Sequence, residues 1–196
     1  MASIISGSYF IDERLTTAYN PYNSHTTRRL ILREGNTVLT IGWGITTLES
    51  EITKIVGVHG SVTAIPTTNE QLAITKERMQ KVKTLTPALL DFLKIDTITQ
   101  QFDRIHCRFV LSHLPWNVAE TTISKLLAKL KPCGRLIIEE FQSSEGNTTE
   151  KIKTFLTSEP FRYNVSYTTY QPVPSQPAIR SRISNEVAQI YLTKYA

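Results

Sequence analysis

Short β-branched runs alternate with amphipathic stretches along most of this chain. Thr37-Val38-Leu39-Thr40-Ile41-Gly42 has strand composition and ends in glycine. Leu48, Ile52, Ile55 and Val56 then recur at the spacing of one helical face, and Gly57 follows as a helix stop. Ser61-Val62-Thr63-Ala64-Ile65 predicts a second strand, and a helix starting near Asn69 would carry Leu72 and Met79. Between Leu85 and Leu93, where Pro87 interrupts, a short strand and a turn are expected. Phe102 to Cys107 predicts a further strand. Residues 118–130 predict a helix with Ile123, Leu126, Leu127 and Leu130 facing inward. Lys131-Pro132-Cys133-Gly134 should break that helix, and Arg135-Leu136-Ile137-Ile138-Glu139 reads as a nearly continuous apolar strand.

Strands of that kind alternating with helices argue for a parallel sheet covered on both faces. After Phe141 the pattern changes. Lys151 to Leu156 reads as a last helix. Tyr163–Tyr170 and Glu186–Tyr191 then read as two strands around a proline-rich loop, paired antiparallel at the sheet edge. The expected architecture is a three-layer α/β Rossmann-like sandwich. Its sheet is seven-stranded and mostly parallel, with an antiparallel C-terminal strand. Residues 1–36 read as an N-terminal segment covering the cleft and residues 37–196 as the Rossmann-like domain, a single domain overall.

Composition narrows the field. The 196 residues are 40% hydrophobic and 20% charged, which excludes a disordered or fibrous chain. No apolar run approaches the roughly eighteen residues a membrane helix needs, so a soluble, cytoplasmic protein is expected. The net charge of +5 tolerates an acidic partner. Its basic residues are scattered, the tightest groups being Arg28-Arg29 with Arg33 and Lys125–Lys131 with Arg135. Solvated helix faces explain these better than a nucleic-acid surface. Cys107 and Cys133 give neither a disulfide framework nor a zinc pattern, and no metal is expected.

The turn Gly42-Trp43-Gly44-Ile45-Thr46 lies between the first strand and the first helix, where glycines allow a ligand to approach the backbone. Four segments then occur in order: Thr37–Leu48, Gly60–Ile65, Phe102-Asp103-Arg104-Ile105-His106-Cys107-Arg108-Phe109-Val110-Leu111-Ser112-His113-Leu114-Pro115, and Leu130–Glu140. In combination they resemble the class I S-adenosylmethionine-dependent methyltransferases of the methyltransferase-domain, small-molecule type, from about Tyr19 to Phe141.

The resemblance implies S-adenosylmethionine as cofactor, with Gly42 and Gly44 packing under its methionine half. It implies a cofactor role at Thr40, Trp43, Pro66 and Thr67, and puts Asp91 and Phe92 near the adenine. Arg108 would stand where cofactor meets acceptor. Tyr19, Tyr22, His113 and Glu140 are the implied substrate-side candidates. Tyr19 and Tyr22 would line a cofactor lid or serve as apolar cover. His113 would orient an acceptor, act as a base, or simply pack on Trp116. Glu139 and Glu140 should point to opposite faces, one into the cleft and the other into solvent. His106 reads as a core residue.

The departures are chemical. The family has a carboxylate where this chain has Thr40, a glycine where it has Thr46, and an acidic ribose anchor where it has Pro66. Proline offers neither a side-chain acceptor nor a backbone N–H. Trp43 either stacks on a ligand or fills the ligand's space. Two functions remain open. One is methyl transfer to a small-molecule or protein acceptor through a remodelled pocket. Because such transfer rests on positioning and desolvation, a missing general base is no objection. The other is a catalytically inactive binding or scaffold module, with a partner protein completing the site.

Overall fold

The computed structural model describes residues 22–42, 47–66, 72–73, 75–77, 82–87, 92–142, 147–158, 162–170 and 186–195. Helix α1 (Asn23–Leu30) leads into strand β1 (Thr37–Gly42), helix α2 (Thr47–Val56), β2 (Ser61–Ile65) and the short β3 (Leu85–Pro87). A 3-10 turn over Phe92–Thr97 precedes β4 (Phe102–Arg108). Another, over Leu111–His113, precedes α3 (Trp116–Lys129). The chain continues through β5 (Leu130–Phe141), α4 (Thr148–Thr157), β6 (Tyr163–Tyr170) and β7 (Val187–Lys194).

The seven strands form one sheet in the order β3-β2-β1-β4-β5-β7-β6. The first five run parallel, and β7 is antiparallel to both β5 and β6. This is the expected Rossmann-like arrangement. One refinement concerns the edge: β7 inserts between β5 and β6, so the last strand in sequence is internal and β6 lies outermost. β7 can occupy that place because Val187, Ala188, Ile190 and Leu192 are all buried.

Helices cover both faces. On one, Leu30 of α1 and Leu48, Ile52 and Val56 of α2 pack over Val38, Val62, Ala64 and Ile137. On the other, Ile123 and Leu126 of α3 and Ile152 and Leu156 of α4 pack over Leu39, Ile41, Ile105, Leu136 and Ile138. The strands are apolar on both sides for this reason. Gly57 ends α2 with φ +64, a left-handed turn that glycine adopts without strain.

Two readings of the sequence need correction. Ile55 fits the helical spacing but is 42% exposed, because its position falls at the margin of the face that α2 buries. Lys131–Gly134 does not separate helix from strand. α3 ends at Lys129, and β5 begins at once at Leu130. The turn-like residues are absorbed by an irregularity in the β4–β5 ladder. There Phe102 pairs with Leu130 and Arg104 with Arg135, while Cys133 takes φ +58.

Candidate functional site

The carboxyl ends of β1, β4 and β5 lie side by side, the edge at which open α/β sheets bind ligands. Thr40 is registered with His106, and Gly42 with Arg108. On the next strand Arg108 is registered with Glu139, which in turn faces Gln189 of β7. A row of polar side chains therefore crosses the end of an otherwise apolar sheet, on the face covered by α1.

Gly42 sits at φ +112, and a Cβ there would come within 2.0 Å of the Arg108 carbonyl oxygen. That oxygen belongs to the neighbouring strand. The glycine is thus required by the close approach of β1 to β4, before any ligand is considered. Thr40, two residues earlier, is 1% exposed, and its hydroxyl has no hydrogen-bond partner among the described residues.

The row is wired through Glu139, which is fully buried. Its carboxylate accepts from Thr26 Oγ1 at 2.7 Å, from His106 Nε2 at 2.9 Å, from Gln189 Nε2 at 2.6 Å and from Arg108 Nε. Arg108, 2% exposed, also donates to Asn23 Oδ1 at 3.2 Å and Thr26 Oγ1 at 3.3 Å. Asn23 in turn donates to Thr47 Oγ1 at 3.0 Å. The first turn of α1 is thereby tied to the ends of β4 and β5 and to the start of α2.

Burial works against the charge of each partner, and pairing overrides it where the partners are opposite. Burial would raise the Glu139 pKa, but Arg108 and then His106 hold it well below the usual carboxylate range. Burial would lower the Arg108 pKa, yet the Glu139 carboxylate keeps it above the ordinary value. For His106 burial prevails over the attraction of Glu139 and lowers its pKa. The ring is therefore neutral at pH 7, with Nε2–H as the donor.

Glu140 points to the opposite face, as strand geometry requires. It accepts from the backbone N–H groups of Val110 and Leu111, at 3.0 and 2.7 Å, and from the Ser112 hydroxyl at 2.7 Å. Burial pushes its pKa up to about 6 against the pull of those donors. Neither glutamate is solvated, contrary to the expectation for one of them. The sheet is covered on both sides at this level, and each carboxylate is fully ringed by donors. Phe109, between Arg108 and Val110 in sequence, takes φ +54, and its ring stacks on Phe141 at 4.1 Å. A left-handed conformation costs a non-glycine residue about 1–2 kcal/mol, so the stack and the Glu140 bonds hold a strained turn beside the strand ends.

Tyr22 precedes α1 and stacks on Tyr170, the last residue of β6, at 4.7 Å. His113 closes the 3-10 turn after β4, where partial burial lowers its pKa. Pro66 is buried immediately after β2. Phe92 opens the 3-10 turn that precedes β4. Trp43, Gly44, Thr67, Asp91 and Tyr19 lie outside the described residues. Among the described residues, no group of His, Cys, Asp and Glu has the arrangement of a metal site, and no helix is long and apolar enough to cross a membrane.

Thr26, Asn23 and Gln189 were not foreseen as part of this site. A signal existed: His106, Glu139 and Gln189 are polar residues embedded in three apolar strands. Their convergence depends on strand order and register, which one sequence does not supply.

Residues 38–134 match the family model described as "Methyltransferase domain". A curated relative, phosphoethanolamine N-methyltransferase 2 of Caenorhabditis elegans, is 29% identical over 126 residues, covering 63% of this chain and 28% of that protein. The chain therefore spans less than a third of that relative's length. Among solved structures, the N-methyltransferase NodS from Bradyrhizobium japonicum WM9, in complex with S-adenosyl-L-homocysteine, is similar with a TM-score of 0.69. Sequence identity is 14%, over 98% of this chain and 94% of that one. The [4+2]-cyclase SpnF is similar with a TM-score of 0.71 at 14% identity, over 92% of this chain and 83% of that one. At these identities the structures speak to fold alone. The matched segment contains the Gly42 turn, all of β2 to β4 and the start of β5, and the chain belongs to the class I S-adenosylmethionine-dependent methyltransferase family.

Proposed function

We propose that this domain works as a ligand- or partner-binding module on a methyltransferase scaffold, its methyl-transfer chemistry set aside. The cofactor's ammonium and ribose hydroxyls call for anionic acceptors. The residues at the two anchoring positions do not fit that need. Thr40 offers a neutral hydroxyl, and Pro66 offers no side-chain acceptor and no N–H.

The observation that carries the reading is where the neighbouring carboxylates go. Glu139 is held by four side-chain donors and Glu140 by three donors of the turn after β4, so neither is left to replace a missing anchor. A hydrogen bond to a charged group contributes about 1.5–3 kcal/mol, so two lost anchors weaken binding by roughly a hundredfold or more. The similarity to SpnF, whose name is that of a cyclase, supports the general point that this fold is not tied to one reaction.

A second reading, methyl transfer to a small amine acceptor, draws on the two N-methyltransferase relatives. It also draws on Gly42 at the end of β1 and on the buried Thr40 hydroxyl, which has no partner among the described residues. Calorimetric titration with S-adenosylmethionine and S-adenosylhomocysteine separates the two. The binding-module reading expects no saturable heat up to millimolar ligand. Micromolar binding of either compound would overturn it in favour of the enzyme.

A further inference from the structure

The α3–α4 face carries a cavity of about 500 Å³ at the edge of the sheet opposite the strand ends described above. It opens beside the start of β5, between the C-terminal halves of α3 and α4 and the outer strand pair. Leu127, Phe155 and Leu156 supply an apolar floor, and Leu127 and Leu156 are otherwise buried in the core. Lys194, the last residue of β7, Arg162, just before β6, and Tyr195 also line it. None of the described residues lining it is acidic; Glu159 lies outside the described residues.

The Lys194 ammonium donates to the Leu130 carbonyl at 3.0 Å. That bond fixes the side chain over the cavity and uses one of three N–H donors, leaving two for a ligand. The volume is that of a small-molecule site, and an apolar wall with a few convergent polar groups is the usual composition of one. The Lys194 ammonium, with two donors to spare beside an apolar floor, selects an anionic head. We propose that this cavity binds a small amphipathic carboxylate. Its aromatic or aliphatic body would lie on Leu127, Phe155 and Leu156, and its carboxylate would meet Lys194. The site is separate from the strand ends, so the outcome of the S-adenosylmethionine titration leaves it untouched.

The test uses 4-phenylbutyrate and its neutral counterpart 4-phenylbutanol on the full chain, followed by methyl-resolved NMR. The acid should shift the Leu127 and Leu156 methyl signals saturably and bind at least tenfold more tightly than the alcohol, since charge-assisted hydrogen bonds are the stronger ones. Lys194→Gln should remove about tenfold of the acid's affinity and leave the alcohol's unchanged. Ser124→Trp should abolish both by filling the cavity. Ser124 lies on the exposed side of α3 and lines the cavity, and Ala128→Trp, likewise exposed, serves if the first variant fails to fold. Equal affinity for acid and alcohol, shifts located elsewhere, or no binding of the acid at 5 mM would each overturn the proposal.

Discussion

Arg108 and Glu139 occupy registered positions at the ends of β4 and β5, and their side chains pair in a region where neither is more than 2% exposed. The pair does more than join two strands. Through Thr26 and Asn23 it fastens helix α1 over the carboxyl ends of β4 and β5. Buried ion pairs are often no more stabilising than apolar residues of the same volume, whereas removing one member strands the other's charge.

Glu139→Gln should therefore destabilise the fold by about 3–5 kcal/mol, because Arg108 keeps a buried positive charge. The double variant Arg108→Met, Glu139→Leu should lose less than that. Urea denaturation of the three proteins measures both values. A double variant at least as unstable as Glu139→Gln would mean that the geometry of the network matters more than its charge balance.

Acid titration should show two opposed contributions between pH 7 and 5. The folded-state pKa of Glu140 is raised to about 6, so the folded protein takes up this proton before the unfolded chain does, and stability rises as pH falls through that value. The His106 pKa is lowered, so the unfolded chain binds that proton first and stability falls as pH drops through its ordinary value near 6.5. Glu140→Gln removes the first effect and should make the loss of stability from pH 7 to 5 steeper by about 1 kcal/mol. Below that window Glu139 takes over. Its depressed pKa contributes stability that is complete above the unfolded carboxylate value and lost as pH falls toward the folded one. Chemical denaturation at half-unit intervals would detect an unchanged slope in Glu140→Gln, which would contradict the assignment.

Two glycines offer a paired test of backbone geometry. Gly42 at φ +112 has the Arg108 carbonyl 2.0 Å from where a Cβ would stand, and Gly35 at φ +80 has nothing within 4 Å. Gly35→Ala should cost about 1–2 kcal/mol, the strain of a left-handed residue. Gly42→Ala adds a clash with backbone that cannot yield without parting β1 from β4, and should cost several kcal/mol or prevent folding. Comparable melting temperatures for the two variants would contradict this.

The order of strands and helices was legible in the sequence because the strands of a doubly covered parallel sheet are apolar throughout and the helices keep a clean face, as Leu48, Ile52 and Val56 show. Where the reading failed, the cause was tertiary. The turn-like Lys131–Gly134 is taken into β5 because β4 offers a partner across an irregular ladder. Glu139 and Glu140 are both buried because Thr26, Arg108 and Gln189 donate on one face and the turn after β4 donates on the other. Those donors come from residues far apart in the chain, and no local pattern announces them. The placement of Thr40, Gly42 and Arg108 was more accessible, since each follows from where a strand ends.

If missing acidic anchors are what keeps S-adenosylmethionine from this domain, restoring them should recover binding. In Thr40→Asp, Pro66→Asp the first aspartate would enter a position 1% exposed and registered with His106, so the variant should be less stable than the parent without ligand. S-adenosylmethionine at 1 mM should then raise its melting temperature. An affinity near 10 μM corresponds to about 2.7 kcal/mol of stabilisation, or roughly 5–10 °C for a chain of this size, while the parent stays flat. A flat response in the variant too would move the cause from the anchors to the indole at position 43. Trp43→Ala added to the double variant should then open the turn and restore the shift. Failure of the triple variant as well would reject both anchor loss and obstruction as the reason, because each rests on the turn after β1 lying where the ligand would bind.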